Sequence, residues 1–253
     1  MAWARREEND GFVCLTKYLS RGSAIIDGDE RVPSLAVCAV VVLLTCEMLT
    51  TIRDLLGHSP NSPDLAAYLS TLSTTKVTPD VKSYPDAVYF NYYSLGLSLL
   101  FIPIKGYKPR SGLSRQDLQD AHLALDGIDI YNNLSTVKSD GKTSSRSPAY
   151  SPYPTTPIAL TITPETKDGT SRPSALNVMQ NMTGKEFVTA LGEPDRKGGG
   201  SGPSSGNIGI WVEWTRDGLM VEFGGEDSRG PQAWERGKDA PWRVISFFSS
   251  KTK

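Results

Sequence analysis

His58 and His122 are the only histidines in this chain of 253 residues. Two are too few for a multi-histidine metal site, and a histidine-based triad would need partners brought from far along the sequence. His58 follows Gly57, and His122 lies in the polar stretch SRQDLQDAHLALD, so surface or capping roles are expected for both. The cysteines Cys14, Cys38 and Cys46 all fall in the first fifth of the chain. An odd number without a C-x-x-C pair is neither a disulfide framework nor a zinc site, and a reducing compartment is the plain reading. The glycine-rich stretch Lys197–Gly206 invites comparison with a phosphate loop. Such a loop needs its lysine after the glycines and a helix after the lysine. Here Lys197 comes first and a strand pattern follows, so a flexible connection is expected. Glu213 and Glu222 form a carboxylate pair on adjacent strands of one predicted hairpin, an ordinary arrangement on a solvated face neutralised by nearby Lys and Arg. No catalytic residue, metal ligand or cofactor is expected from these groups.

The aromatic residues point elsewhere. Tyr89, Tyr93 and Trp211 alternate onto the sheet face opposite the expected core. Large aromatics on an exposed sheet face are typical interface anchors, because they bury much area at low entropic cost. Together with Asn91, Glu213 and Arg216 they make the candidate binding set. The competing expectation is that this face is covered by an N-terminal helix or by the segment before it.

The elements that would carry this set recur. Asp64–Leu69 aligns with Glu186–Leu191 at an offset of 122 residues, and the same offset places Val88–Tyr92 over Ile210–Trp214, Gly96 over Gly218, and Leu97, Leu99 and Phe101 over Leu219, Val221 and Phe223. An offset of 117 places Leu125, Ile128, Ile130 and Tyr131 over Trp242, Ile245, Phe247 and Phe248. Thr183 and Glu186 make a T-x-x-E capping box, and Gly192 and Pro194 stop the helix they open. The alternation of Ile208, Ile210, Val212 and Trp214, the turn at Asp217-Gly218, and the return through Leu219, Val221 and Phe223 read as a half-buried hairpin. The expected fold class is α+β: two tandem helix-then-three-stranded-antiparallel-sheet repeats with an extra N-terminal helix. Neither unit could bury its apolar sheet face alone, so the two are expected to pack together.

The predicted organisation is a poorly ordered segment over 1–33, an apolar helix over 34–57, and a first repeat over 59–134. A Ser/Pro-rich surface linker follows over 135–157, and an extra strand (Ile158–Thr163) with the second repeat fills 158–250. The run Leu35–Leu44 is the most apolar part of the chain, but Glu47, Arg53 and Asp54 interrupt it before it reaches the ~20 residues a membrane span needs. A buried helix with Pro33 at its start and Gly57 past its end fits better.

The stretch Asn181-Met182-Thr183-Gly184-Lys185-Glu186, followed by Leu191-Gly192-Glu193-Pro194, resembles the signature of BamE-type (SmpA/OmlA) repeats. The resemblance covers about 70 residues, Asn181 to Phe248, and reaches the first unit only through the internal alignment. It implies the helix-then-sheet fold shared with β-lactamase-inhibitor protein, which carries two tandem copies, and it implies a binding module rather than an enzyme. The chain is also similar to uncharacterised fungal proteins with an LGEPxRKGGG segment, from which no activity follows. Leu43-Leu44-Thr45-Cys46 loosely resembles a bacterial lipoprotein cleavage box.

Charge narrows the partner. The 27 basic and 28 acidic side chains leave a net charge of −1, without the basic cluster that a nucleic-acid binder needs. The function expected is a non-enzymatic protein–protein interaction module, cytoplasmic, whose partner is another protein. One alternative is a small-molecule or lipid-binding protein, or an enzyme, using a cleft between the repeats. Another is a membrane-anchored assembly factor tethered through residues 35–46.

Overall fold

The computed structural model describes residues 51–133, 149–166, 169–200 and 209–250. The expectations for 1–33, for the apolar run and its membrane role, and for most of the linker fall outside these residues. Thr51 is extended (φ −67°, ψ 151°) and opens a 3-10 turn, Ile52–Leu55. The backbone amide of Thr51 is taken by the Asp54 carboxylate at 2.8 Å. A local cap of this kind starts a new turn. The helix predicted over 34–57 therefore does not run unbroken to Leu56.

Among the described residues, three α-helices and an antiparallel sheet of eight strands make a mixed α+β architecture. The first helix, α1, is Pro63–Leu72, with proline in the first turn where its missing N–H costs nothing. Ahead of it, His58 Nδ1 lies 2.8 Å from the hydroxyl of Ser62, the N-cap residue. The strands β1 (Asp80–Ser83), β2 (Val88–Tyr92), β3 (Leu97–Pro103) and β4 (Leu123–Tyr131) follow in order. A separate two-stranded sheet, β5 (Ile158–Thr161) with β6 (Ala175–Val178), precedes α2 (Gly184–Leu191). Then come β7 (Arg196–Gly198), β8 (Trp211–Trp214), β9 (Leu219–Phe223), the short α3 (Ala233–Arg236) and β10 (Trp242–Phe248).

The large sheet runs β1-β2-β3-β4-β10-β9-β8-β7, so β4 and β10 meet at its centre and pair through Ile130↔Ile245 and Ile128↔Phe247. One face is apolar. Phe90, Leu97, Leu99, Ile128, Ile130, Leu219, Val221, Ile245 and Phe247 are all buried there in one cluster. Helix α2 adds Phe187, whose ring centroid lies 6.4 Å from that of Trp214 and 6.3 Å from that of Phe223. Helix α1 adds Leu65, and the small sheet adds Ile158, Leu160 and Val178.

The tight turns after β2 and β8 both end on a left-handed glycine, Gly96 (φ +56°) and Gly218 (φ +54°). Neither tolerates a side chain, since a Cβ would lie 2.2 Å from the Ser151 carbonyl oxygen at 96 and 2.1 Å from that of Phe248 at 218.

Three strands are absent from the sequence reading: β1, β6 and β7. In each the exposed residues outnumber the buried ones, so no alternation of apolar residues marks them. Edge strands of this kind are formed by the hydrogen-bonding groups of a neighbour rather than by their own burial.

The end of the expected surface linker is part of the structure. Ser151 N–H donates to the Tyr93 carbonyl and Tyr153 N–H to that of Tyr131, each at 2.8 Å. Tyr153 is buried, and its hydroxyl makes a very short hydrogen bond with that of Tyr68 on α1.

Candidate interaction face

The outer face of the sheet is organised around one row of residues in register. Asp80, Asn91, Ser98, Asp129, Ser246, Met220, Glu213 and Arg196 face one another across all eight strands. Strand alternation puts the six inner ones, Asn91 to Glu213, opposite the core, because each has buried apolar neighbours on either side in its own strand, and pairing carries the row on to Asp80 and Arg196 at the edges.

At the β2 end, Asn91 is almost wholly buried and bonded through both its side-chain polar atoms. Its Nδ2 donates to the Asp80 carbonyl at 3.1 Å, and its Oδ1 accepts from Ser98 Oγ at 3.0 Å and from the Tyr150 hydroxyl at 2.6 Å. Tyr150 comes from the docked end of the linker and lies flat on Tyr131, with its ring centroid also 4.7 Å from that of Tyr93. Tyr89, half-buried, meets Tyr84 edge-on at 6.2 Å, and Tyr84 is 45% exposed. Tyr84, Tyr89, Tyr93 and Tyr150 with Lys82 and Asp86 wall an open depression of about 540 Å³.

The centre of the row is acidic. Asp129 accepts a 2.6 Å hydrogen bond from Ser246 Oγ, and no Lys or Arg among the described residues pairs with it. Burial pushes its carboxyl above the ordinary value; the Ser246 bond opposes this and the charge of Glu222 adds to it. Glu222 itself is held by Arg243 at 2.8 Å.

At the β7 end, Glu213 is buried between Arg196 (3.1 Å) and the Thr215 hydroxyl (2.8 Å). The Trp211 indole lies over Gly198, where a Cβ would come within 2.6 Å of the ring, and the Arg196 guanidinium sits 5.9 Å from its centroid. Glycine at 198 thus permits the indole to lie against the sheet.

Tyr89, Asn91 and Tyr93 are therefore gathered at one end of the face and Trp211 and Glu213 at the other. Five strand steps separate Asn91 from Glu213, roughly 24 Å at ~4.8 Å per strand. Arg216 belongs to neither group. It sits on the turn after β8, is exposed, and donates to the Thr166 carbonyl at 3.0 Å. Tyr84, Asp129 and Tyr150 are additions of the structure. Asp129 was readable from alternation between Ile128 and Ile130. Tyr150 carried no signal, since its place depends on where the linker docks.

A groove of about 910 Å³ runs between α1, residues 73–79, Tyr92 and Arg115, within the β1–β4 half rather than between the halves of the sheet. Among the described residues no group of His, Cys, Asp and Glu is placed to hold a metal ion, and no helix is long and apolar enough to cross a membrane. No family model matches the chain, and no curated protein or solved structure matches it.

Proposed function

We propose that this chain is a non-enzymatic docking module that grips another protein across the outer face of its eight-stranded sheet. The observation that carries the reading is the span of the face. Aromatic groups stand at both ends of the outer-face row, which is polar except at Met220, and only a macromolecule reaches across ~24 Å of sheet to touch both. Half-buried tyrosines and a tryptophan already held rigid by their neighbours lose little entropy when a partner covers them. The central Asp129, unpaired with any Lys or Arg among the described residues, favours a partner that brings a Lys or Arg to the middle of the contact.

The same proposal takes the two halves of the sheet as two copies of one unit, in the manner of BamE-type repeats. Supporting this, the pairs Phe90↔Leu99, Leu97↔Ile130 and Leu99↔Ile128 reappear as Val212↔Val221, Leu219↔Phe247 and Val221↔Ile245, at the sequence offsets of 122 and 117. On this view each copy is a helix with four strands, β1 and β7 being the equivalent edges, and the copies join through β4 and β10.

The test places a photo-crosslinking amino acid at Tyr89, at Trp211 and, as a control, at Ala67 on exposed α1, in the whole chain in cells. The same partner captured from both sheet positions and not from Ala67 is the expected result. Capture from neither sheet position, with the variants folded, would refute the reading.

A further inference from the structure

The docking face leaves Arg216 unexplained, and its surroundings have a chemistry of their own. Arg216 lines an open pocket of about 610 Å³ at the end of β10, together with Arg53 from the 3-10 turn before α1. None of Tyr89, Asn91, Tyr93, Trp211 or Glu213 reaches it.

The pocket holds more positive charge than its own acids neutralise. Among the described residues its one carboxylate is Asp217, and Asp217 is already consumed. Both its oxygens accept from Arg172, at 2.9 and 2.6 Å, and one also accepts from the Thr163 N–H at 2.9 Å. That ion pair is enclosed, with side-chain exposures of 6% for Arg172 and 1% for Asp217. Arg53 and Arg216 are left without an acidic partner among the described residues. Arg53 donates to the Thr161 carbonyl at 2.6 Å and lies 5.6 Å from the centre of the Phe247 ring. Burial pulls its pKa down, with the charge of Asp217 only opposing this, as expected of a cation short of compensation. Thr161, Thr163, Ser249 and Ser250, which carry hydroxyls, line the pocket with the two arginines. None of these hydroxyls makes a hydrogen bond with another described residue.

We infer that this pocket is a binding site for a phosphate group, held between the Arg53 and Arg216 guanidinium groups with the threonine and serine hydroxyls as further donors. Guanidinium forks match the geometry of phosphate oxygens and form charge-assisted bonds with them. A carboxylate, with two oxygens, is satisfied by one such fork; the two arginines and four hydroxyls here suit an anion with more acceptors and a charge near −2. The Arg172–Asp217 pair closes the floor. It fixes the turn that carries Arg216 and offers the ligand no competing free carboxylate. The site is independent of the docking face and stands or falls separately.

The experiment is calorimetric titration of the whole chain with inorganic phosphate and with phosphoserine, using acetate as the carboxylate control. Saturable binding of either phosphate compound, roughly tenfold weaker in Arg216→Gln and lost in the Arg53→Gln/Arg216→Gln double variant, is expected from charged bonds of about 1.4 kcal/mol or more each. Binding of phosphoserine alone would support the same site and identify its source as a modified side chain rather than the free ion. Arg216→Gln is a surface change and keeps the test valid if Arg53→Gln impairs folding. No saturable binding to either compound, binding undiminished in folded Arg216→Gln, or equal binding of acetate would overturn the assignment.

Discussion

Tyr150 lies flat on Tyr131, their ring centroids 3.7 Å apart and their planes within 3° of parallel. The two residues come from different parts of the chain, the docked end of the linker and the last residue of β4. Their stack, with the Tyr150 hydroxyl on Asn91, fixes one end of the proposed docking face. Tyr150→Phe removes the hydroxyl bond and keeps the stack, and is expected to cost about 1 kcal/mol. Tyr150→Ala removes both and is expected to cost about 2 kcal/mol. Urea unfolding of the two variants checks the order. Equal stability of Tyr150→Ala and the parent would show that the segment does not hold this position in solution.

Burial disfavours the charged form of Asp129, and no Lys or Arg among the described residues pairs with it. Its pKa is raised in the folded state, so the folded chain binds this proton more tightly than the unfolded chain. Its contribution is therefore favourable below the unfolded value near 3.9 and is lost as pH rises through the raised folded value. Asp129→Asn keeps an acceptor for Ser246 and removes the charge. The variant is expected to melt a few degrees above the parent at pH 7, with the advantage vanishing toward pH 3. Thermal melts at the two pH values check this, and a variant less stable than the parent at pH 7 would contradict it.

The buried pair Arg172–Asp217 is expected to behave differently. Asp217→Asn leaves Arg172 enclosed without its counter-charge and weakens the cap on Thr163. Breaking such a pair from one side costs about 3–5 kcal/mol. Denaturant titration reads this directly, and a loss below about 1 kcal/mol would mean that water reaches the pair.

Gly218→Ala forces a side chain into a left-handed turn and against the Phe248 carbonyl. A cost of about 2 kcal/mol or more is expected from strain and displacement together. Gly225→Ala is the control, because a Cβ there meets nothing within 4 Å although φ is also positive (+80°). Similar melting temperatures for both variants would show that the close approach to Phe248 carries no weight.

Much of this architecture is legible in the sequence because burial wrote it there. Val88, Phe90 and Tyr92, or Val212 and Trp214, alternate because one side of each strand meets the core. The T-x-x-E box at Thr183 is likewise local chemistry, and Thr183 N–H does donate to Glu186 Oε2 at 2.7 Å. What the sequence does not carry are features decided by a distant neighbour. Arg196 and Lys197 are exposed, and only pairing with β8 makes them a strand. Tyr150 sits in a Ser/Pro-rich stretch that reads as a spacer, and only Tyr131 and Asn91 give it a place. Arg216 follows Trp214 closely in sequence, yet the turn directs it to a separate pocket, so proximity along the chain was a poor guide to the site.

The central claim, a macromolecular partner spanning the sheet, is tested most directly by measuring the affinity of the crosslinked partner for Tyr89→Ala, Trp211→Ala and the double variant. Each single change is expected to weaken binding about tenfold or more. The two losses are expected to add, because the residues lie too far apart to share contacts. Unchanged affinity in the double variant, with its fold intact, would contradict the account and move the interface off this face.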